Sequence, residues 1–149
     1  MKFKSLSWIL LPLLLLLGLG IWSQFADVPA NQSAGRRVYL QHCANCHMEQ
    51  GQGLAKLMPP LAKADYLQNL SVEDLSCIIR YGQKGPIVVN GVEYDRYMPG
   101  NDQMTAVELH ALVNYVRMEW GGAEEKISFD QLNEALGACE PPELDFLGS

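Results

Sequence analysis

Residues 42–47 read HCANCH, two cysteines and two histidines within six positions. So dense a set of thiols and imidazoles serves a metal ion, a redox dithiol or a covalently attached haem, and each demands a different scaffold. A structural zinc site needs a second Cys/His pair at suitable spacing, and the chain has none. A thioredoxin-like dithiol follows a strand in a βαβ unit, whereas a helical pattern leads into this motif. Cys43, Cys46 and His47 have the C-x-x-C-H spacing of c-type haem attachment. Two thiols on one helical turn reach the two vinyl groups of the ring, and the adjacent histidine projects over it toward the iron. The spacing therefore favours haem.

The N-terminus bears on where such chemistry takes place. Lys2 and Lys4 precede LSWILLPLLLLLGLGIW, and no charge falls between Lys4 and Asp27. A basic start followed by a leucine-rich run is a targeting segment. As a helix, Ser5 to Ala26 would reach roughly 33 Å, against a hydrocarbon core of about 30 Å, which suits a membrane anchor. Pro12, Gly18 and Gly20 weaken that helix, and Val28 to Ala30 resembles a small-residue cleavage site, which suits a signal peptide. Both readings of residues 1–30 stay open, and both export the rest of the chain to the periplasm or the periplasmic face of the inner membrane. With a net charge of −6, nucleic acid is not a plausible partner.

Three helices are predicted beyond the leader. The first has Ser33 as its N-cap, with Gly35, Tyr39 and Cys43 on one face. The second fits SVEDLSCIIRYG, with Ser71 and Asp74 in capping-box spacing and an apolar stripe of Leu75, Ile78 and Ile79. The third runs from Thr105 to about Trp120, with Thr105 and Glu108 as capping box and a stripe of Leu109, Leu112, Val113, Val116 and Trp120. Glycine- and proline-rich loops separate them, with a short hairpin predicted around Asn90-Gly91. A further short helix, capped at Ser128, carries Phe129, Leu132 and Leu136 on one side, and CEPPELDFLGS follows as an acidic tail. The fold class is all-α. Loops this long in so small a domain need something to pack against, and a buried cofactor supplies it.

The sixth iron ligand decides what a haem does: a methionine sulfur raises the potential and closes the iron, whereas an open site favours gas binding or peroxidase chemistry. Of the six methionines, Met58 and Met98 lie in loops and precede prolines. Met98, in YMPG, lies far enough past His47 for the chain to wrap the ring and return.

The segment from Gly35 to Gly122 resembles a class I c-type monohaem cytochrome of the bacterial type found with terminal oxidases and quinoprotein dehydrogenases. The resemblance rests on CANCHMEQGQG, MPPL, GQKGPIVVNGVEYDRYMPG and ELHALVNYVRMEWG, in that order. It implies a cytochrome c fold over residues 31–122, three core helices and long loops wrapped around one haem c, and it leaves residues 123–149 as a C-terminal extension. It also implies thioethers at Cys43 and Cys46, His47 and Met98 as axial ligands, a His47 Nδ1 hydrogen bond to the Pro59 carbonyl, and Leu61 packed on the haem. Gly35 and Tyr39 should cross Leu112 and Tyr115. Tyr66, Tyr94 and Tyr97 are candidate pocket residues, Arg80 and Arg96 candidate propionate partners, and His42 and His110 surface residues.

The function expected is electron transfer between respiratory or dehydrogenase partners, without an enzymatic reaction. Residues 31–149 carry 9 basic and 16 acidic side chains, a net −7, so partners with basic docking patches are expected. Two rivals stand beside the free carrier: a cytochrome subunit built into a membrane oxidoreductase or oxidase complex, and a haem enzyme or gas sensor with an open distal site. Cys77 and Cys139 fall outside the family pattern. In an exported chain they read as a disulfide tying the tail to the domain, with two free buried thiols as the alternative.

Overall fold

The structure, a computed structural model, describes residues 30–140; the hydrophobic leader and the acidic tail beyond Glu140 lie outside them. Helix α1 (Ala30–His42) leads through Cys43 into the one-turn helix α2 (Ala44–His47). After a long loop come α3 (Asp65–Asn69) and α4 (Val72–Tyr81), then four short strands: β1 (Gly82–Gln83), β2 (Ile87–Val89), β3 (Val92–Tyr94) and β4 (Met98–Pro99). Helices α5 (Ala106–Glu119) and α6 (Phe129–Ala138) complete the described chain. Among the described residues no helix is long and apolar enough to cross a membrane.

The all-α expectation holds, with three helix starts set by local chemistry. Reciprocal capping boxes join Ser71 to Asp74, Thr105 to Glu108 and Ser128 to Gln131, each satisfying two backbone donors at a helix N-terminus. Helix α1, by contrast, starts at Ala30, so Ser33 lies within it rather than at its N-cap. The hairpin at Asn90-Gly91 joins β2 and β3. Two features had no visible sequence signal. Helix α3 is too short for a periodic pattern, and β1 pairs antiparallel with β4 over only two residues a strand.

Helix α5 is the central element, buried at every position from Ala111 to Val116. On one side α1 crosses it at Gly35, where an added Cβ would lie 2.2 Å from the Ala111 carbonyl oxygen and 2.5 Å from the Tyr115 Cβ. Only glycine permits that approach. Tyr39 extends the crossing, its ring 5.8 Å from that of Tyr115 and 4.9 Å edge-on from that of Trp120.

The extension packs on another side of α5. Asn114, 2% exposed, receives the Ile127 N–H on Oδ1 at 2.8 Å and donates through Nδ2 to the Ile127 carbonyl at 3.3 Å. His110 donates through Nε2 to the same carbonyl at 2.8 Å and stacks on Phe129 at 4.0 Å, so it is a half-buried clasp rather than a surface histidine. Leu132 is fully buried in the core, worth roughly 2 kcal/mol of transfer free energy. Cys77 on α4 and Cys139 after α6 form a disulfide, with Cα atoms 5.5 Å apart. Residues 123–140 are therefore integral to the core, because Ile127 and Leu132 complete it.

Candidate cofactor site

The ends of α1 and α2 present the motif. Backbone N–H groups of Cys46 and His47 both donate to the Cys43 carbonyl, which winds the two thiols and the imidazole onto one turn. The buried Tyr39 hydroxyl donates to the Met48 carbonyl and holds the end of this turn against α1. Burial raises the Tyr39 pKa far above its ordinary value, so the phenol remains a donor at every physiological pH.

His47 is 8% exposed. Its Nδ1 lies 3.0 Å from the Pro59 carbonyl oxygen, which can only accept, so Nδ1 carries the proton and Nε2 keeps its lone pair. Burial lowers the imidazole pKa, opposed in part by that hydrogen bond. A neutral ring with a free Nε2 is the form that binds metal. Burial also pushes the Cys43 thiol up to about 11, with the charge of Cys46 adding to it. A redox dithiol needs a depressed thiol pKa, so this shift runs against the dithiol reading. Among the described residues no three His, Cys, Asp or Glu side chains converge to hold an ion, which removes zinc.

Cys43, Cys46 and His47 line an apolar cleft, and Pro59, Leu61 and Met98 line the same cleft. It is partly open to solvent. A wall of many apolar side chains drawn from α1, α4, α5 and the hairpin suits a broad apolar macrocycle better than a hydrated ion. The lining fits haem c: two thiols, one neutral imidazole and the thioethers of Met58 and Met98 on apolar walls. Tyr66, Tyr94, Tyr97 and Arg96 join the lining. Arg80 does not; its guanidinium turns to the backbone carbonyls of residues 101–104. His42 is exposed, its Nδ1 3.3 Å from Asn101 Nδ2.

Both loop methionines reach the cleft. Met58 adjoins Pro59, whose carbonyl meets His47. Met98 arrives on the separate β4 strand. The apolar walls were less legible in the sequence. Leu75, Ile78 and Ile79 read as a core stripe on α4, and that stripe faces the cleft. Ile87 and Val89 of the hairpin also line it, although nothing in a three-residue strand announces which face is inside.

Residues 32–120 match the family described as cytochrome c. Cytochrome c-552 of Thermus thermophilus is 35% identical over 101 residues, which cover 66% of this chain and 76% of that protein. The cytochrome c subunit of the alcohol dehydrogenase (quinone) of Gluconobacter oxydans (strain 621H) is 32% identical over 90 residues, 60% of this chain but only 19% of that subunit. The cbb3-type cytochrome c oxidase subunit CcoP of Rhodobacter capsulatus is 27% identical over 103 residues, 66% of this chain and 34% of that protein. The matched segment holds the C-x-x-C-H turn, the cleft and the Gly35 crossing together, and it makes this chain a member of the cytochrome c family, an electron-transfer protein with one covalently bound haem c.

Proposed function

We propose that His47 and Met98 are the axial ligands of the haem iron, that Cys43 and Cys46 form its thioethers, and that the protein carries single electrons between partners on the periplasmic side of the inner membrane. The observation that carries this reading is the convergence of His47, with Nε2 left free by the Pro59 bond, and Met98 on one apolar cleft. When bound, haem c supplies a one-electron Fe(III)/Fe(II) couple.

The chain's own residues set the terms of that couple. His47 is held in one tautomer by Pro59 and cannot rotate without breaking a buried hydrogen bond. Met98 offers a soft sulfur donor, which favours the reduced metal and closes the site to small molecules. The apolar walls from α4, α5 and the hairpin exclude water, which also raises the potential. Arg96, at the wall, is placed to neutralise a carboxylate of the cofactor.

The Cys77–Cys139 disulfide supports an exported location, since such bonds persist in oxidising compartments. The net −7 of residues 31–149 supports partners with basic docking patches and an association that weakens with salt. A second reading is supported by the similarity to cytochrome subunits of dehydrogenase and oxidase complexes: the chain is such a subunit, held to the membrane by residues 1–30. Size-exclusion of detergent extracts separates the two, because a free carrier elutes near its own mass.

The ligand assignment is tested by Met98→Ala. The expected result is a lower potential, loss of the sulfur-to-iron charge-transfer band of the ferric protein, and new reactivity of the ferrous protein with carbon monoxide. An unchanged spectrum and potential would return the site to the open-distal-site reading, an enzyme or gas sensor.

A further inference from the structure

We infer that Arg80 is a positioning residue for the distal ligand, holding the segment that carries Met98 against the end of α4 by gathering three backbone carbonyls on one guanidinium nitrogen. The inference rests on the proposed role of Met98 as axial ligand.

Arg80 lies in the last turn of α4, and the two N–H groups of its Nη1 donate to the carbonyl oxygens of Asp102 at 3.0 Å and Met104 at 2.9 Å, one of them shared with the carbonyl of Asn101 at 3.4 Å. Three carbonyl oxygens drawn to one point repel one another, and a delocalised cation with several donors is what makes such a convergence favourable. Around this point the rest of the segment is bound to the same helix end. The Asn101 N–H donates to the Ile79 carbonyl at 3.0 Å. Gly82 and Gln83, which directly follow α4, pair antiparallel with Pro99 and Met98. A Cβ added at Gly100 would lie 2.5 Å from the Tyr81 carbonyl carbon and 2.6 Å from the Arg80 carbonyl oxygen, so the loop lies flush on the helix end.

Met98 therefore reaches the cleft from a segment whose anchor is the end of α4. The helix is itself fixed, because Cys77, one turn before Arg80, is bonded to Cys139 of the extension. With the helix immobile, loss of the Arg80 charge acts on the loop. The three carbonyls separate, the register of Gln83 with Met98 loosens, and the fraction of molecules in which Met98 has left the iron rises. An external ligand binds only that fraction, so its apparent affinity reports the fraction directly.

The test uses the full-length ferric holoprotein, wild type and the variants Arg80→Met and Arg80→Lys, titrated with imidazole and followed by the sulfur-to-iron charge-transfer band. The expected result is imidazole affinity raised about tenfold in Arg80→Met, equivalent to about 1.4 kcal/mol, with a lower reduction potential. In Arg80→Lys, which restores the charge without the planar fork, part of the affinity change is recovered. A merely structural role lowers the melting temperature and leaves imidazole affinity of the folded protein unchanged. A role as propionate partner shifts the potential and also leaves that affinity unchanged. Either result overturns the inference. If Arg80→Met does not accumulate as holoprotein, Arg80→Lys alone carries the test, with a smaller rise expected and no rise overturning it. Met98→Ala is the control. If it changes the band and Arg80→Met does not change the affinity, the positioning role alone is wrong. If Met98→Ala changes nothing, the ligand assignment fails, and the inference with it.

Discussion

The Nδ1 of His47 and the carbonyl oxygen of Pro59 meet across 3.0 Å, joining the end of the C-x-x-C-H turn to a loop twelve residues further on. The acceptor is backbone, so its position depends on the path of the loop. Gly53 sets that path. It has φ +65, and an added Cβ would lie 2.6 Å from the Met58 carbonyl oxygen and 2.8 Å from the Pro59 carbonyl carbon.

Gly53→Ala is expected to displace the Pro59 carbonyl as well as strain the loop. The left-handed backbone alone costs a residue with a side chain about 1–2 kcal/mol, and the overlap adds to it. Denaturant unfolding measures that loss. A changed hydrogen-exchange rate of the His47 ring N–H shows that the bond to Pro59 has weakened.

Gly35 tests the helix crossing independently of the haem. Gly35→Ala drives a methyl group into the backbone of α5 at Ala111, and neither helix can yield without moving the core. Overpacking at a contact between two backbones is expected to cost about 3 kcal/mol, the upper end of the usual range. The check is the midpoint of urea unfolding, with the visible spectrum of the remaining folded protein unchanged.

The disulfide closes a long loop, its cysteines 62 residues apart in sequence. Replacing both, as Cys77→Ala with Cys139→Ala, is expected to cost about 4 kcal/mol on the chain-entropy account. The loss should appear first as faster amide exchange in α6, because Leu132, the Asn114–Ile127 pair and the His110 clasp then hold the extension without a covalent tie. Exchange that rises equally in α1 and α6 would place the effect in global unfolding instead.

The Thr105–Glu108 box makes helix α5 sensitive to acid. Hydrogen bonds from the Thr105 side chain and then its backbone lower the Glu108 pKa below its ordinary value of 4.5. As pH falls, the unfolded chain takes up this proton before the folded one. The stabilisation is therefore complete above the unfolded value and lost as pH falls through the folded one. Glu108→Gln keeps an acceptor for the Thr105 N–H and has nothing to titrate. A pH series of unfolding free energies should show a smaller decline on the acid side for Glu108→Gln than for wild type, with the two converging at low pH.

Most of the site was legible because its chemistry is local. Cys43, Cys46 and His47 act through their spacing within one turn, and the three helix starts act through side chains three residues apart. That Met98 lines the cleft was legible from its position, in a loop far enough past His47 for the chain to return. Other residues misled for an equally physical reason. Arg80 carries the charge that suits a propionate, yet its rotamer follows the carbonyls gathered at the end of α4. His110 sits beside the apolar stripe of α5, where nothing nearby in sequence shows that Ile127 will return to it.

The sequence by itself determined the cofactor and the capped starts of α4, α5 and α6. Each depends on residue type and on neighbours within a turn or two. Tertiary structure alone decided that β1 and β4 pair, that the α4 stripe faces the cleft, that Asn114 is buried, and that the Arg80 guanidinium meets the carbonyls of the segment after Met98. Those outcomes depend on groups brought together from distant parts of the chain, where the energy lies in the geometry of approach and not in the identity of any one residue.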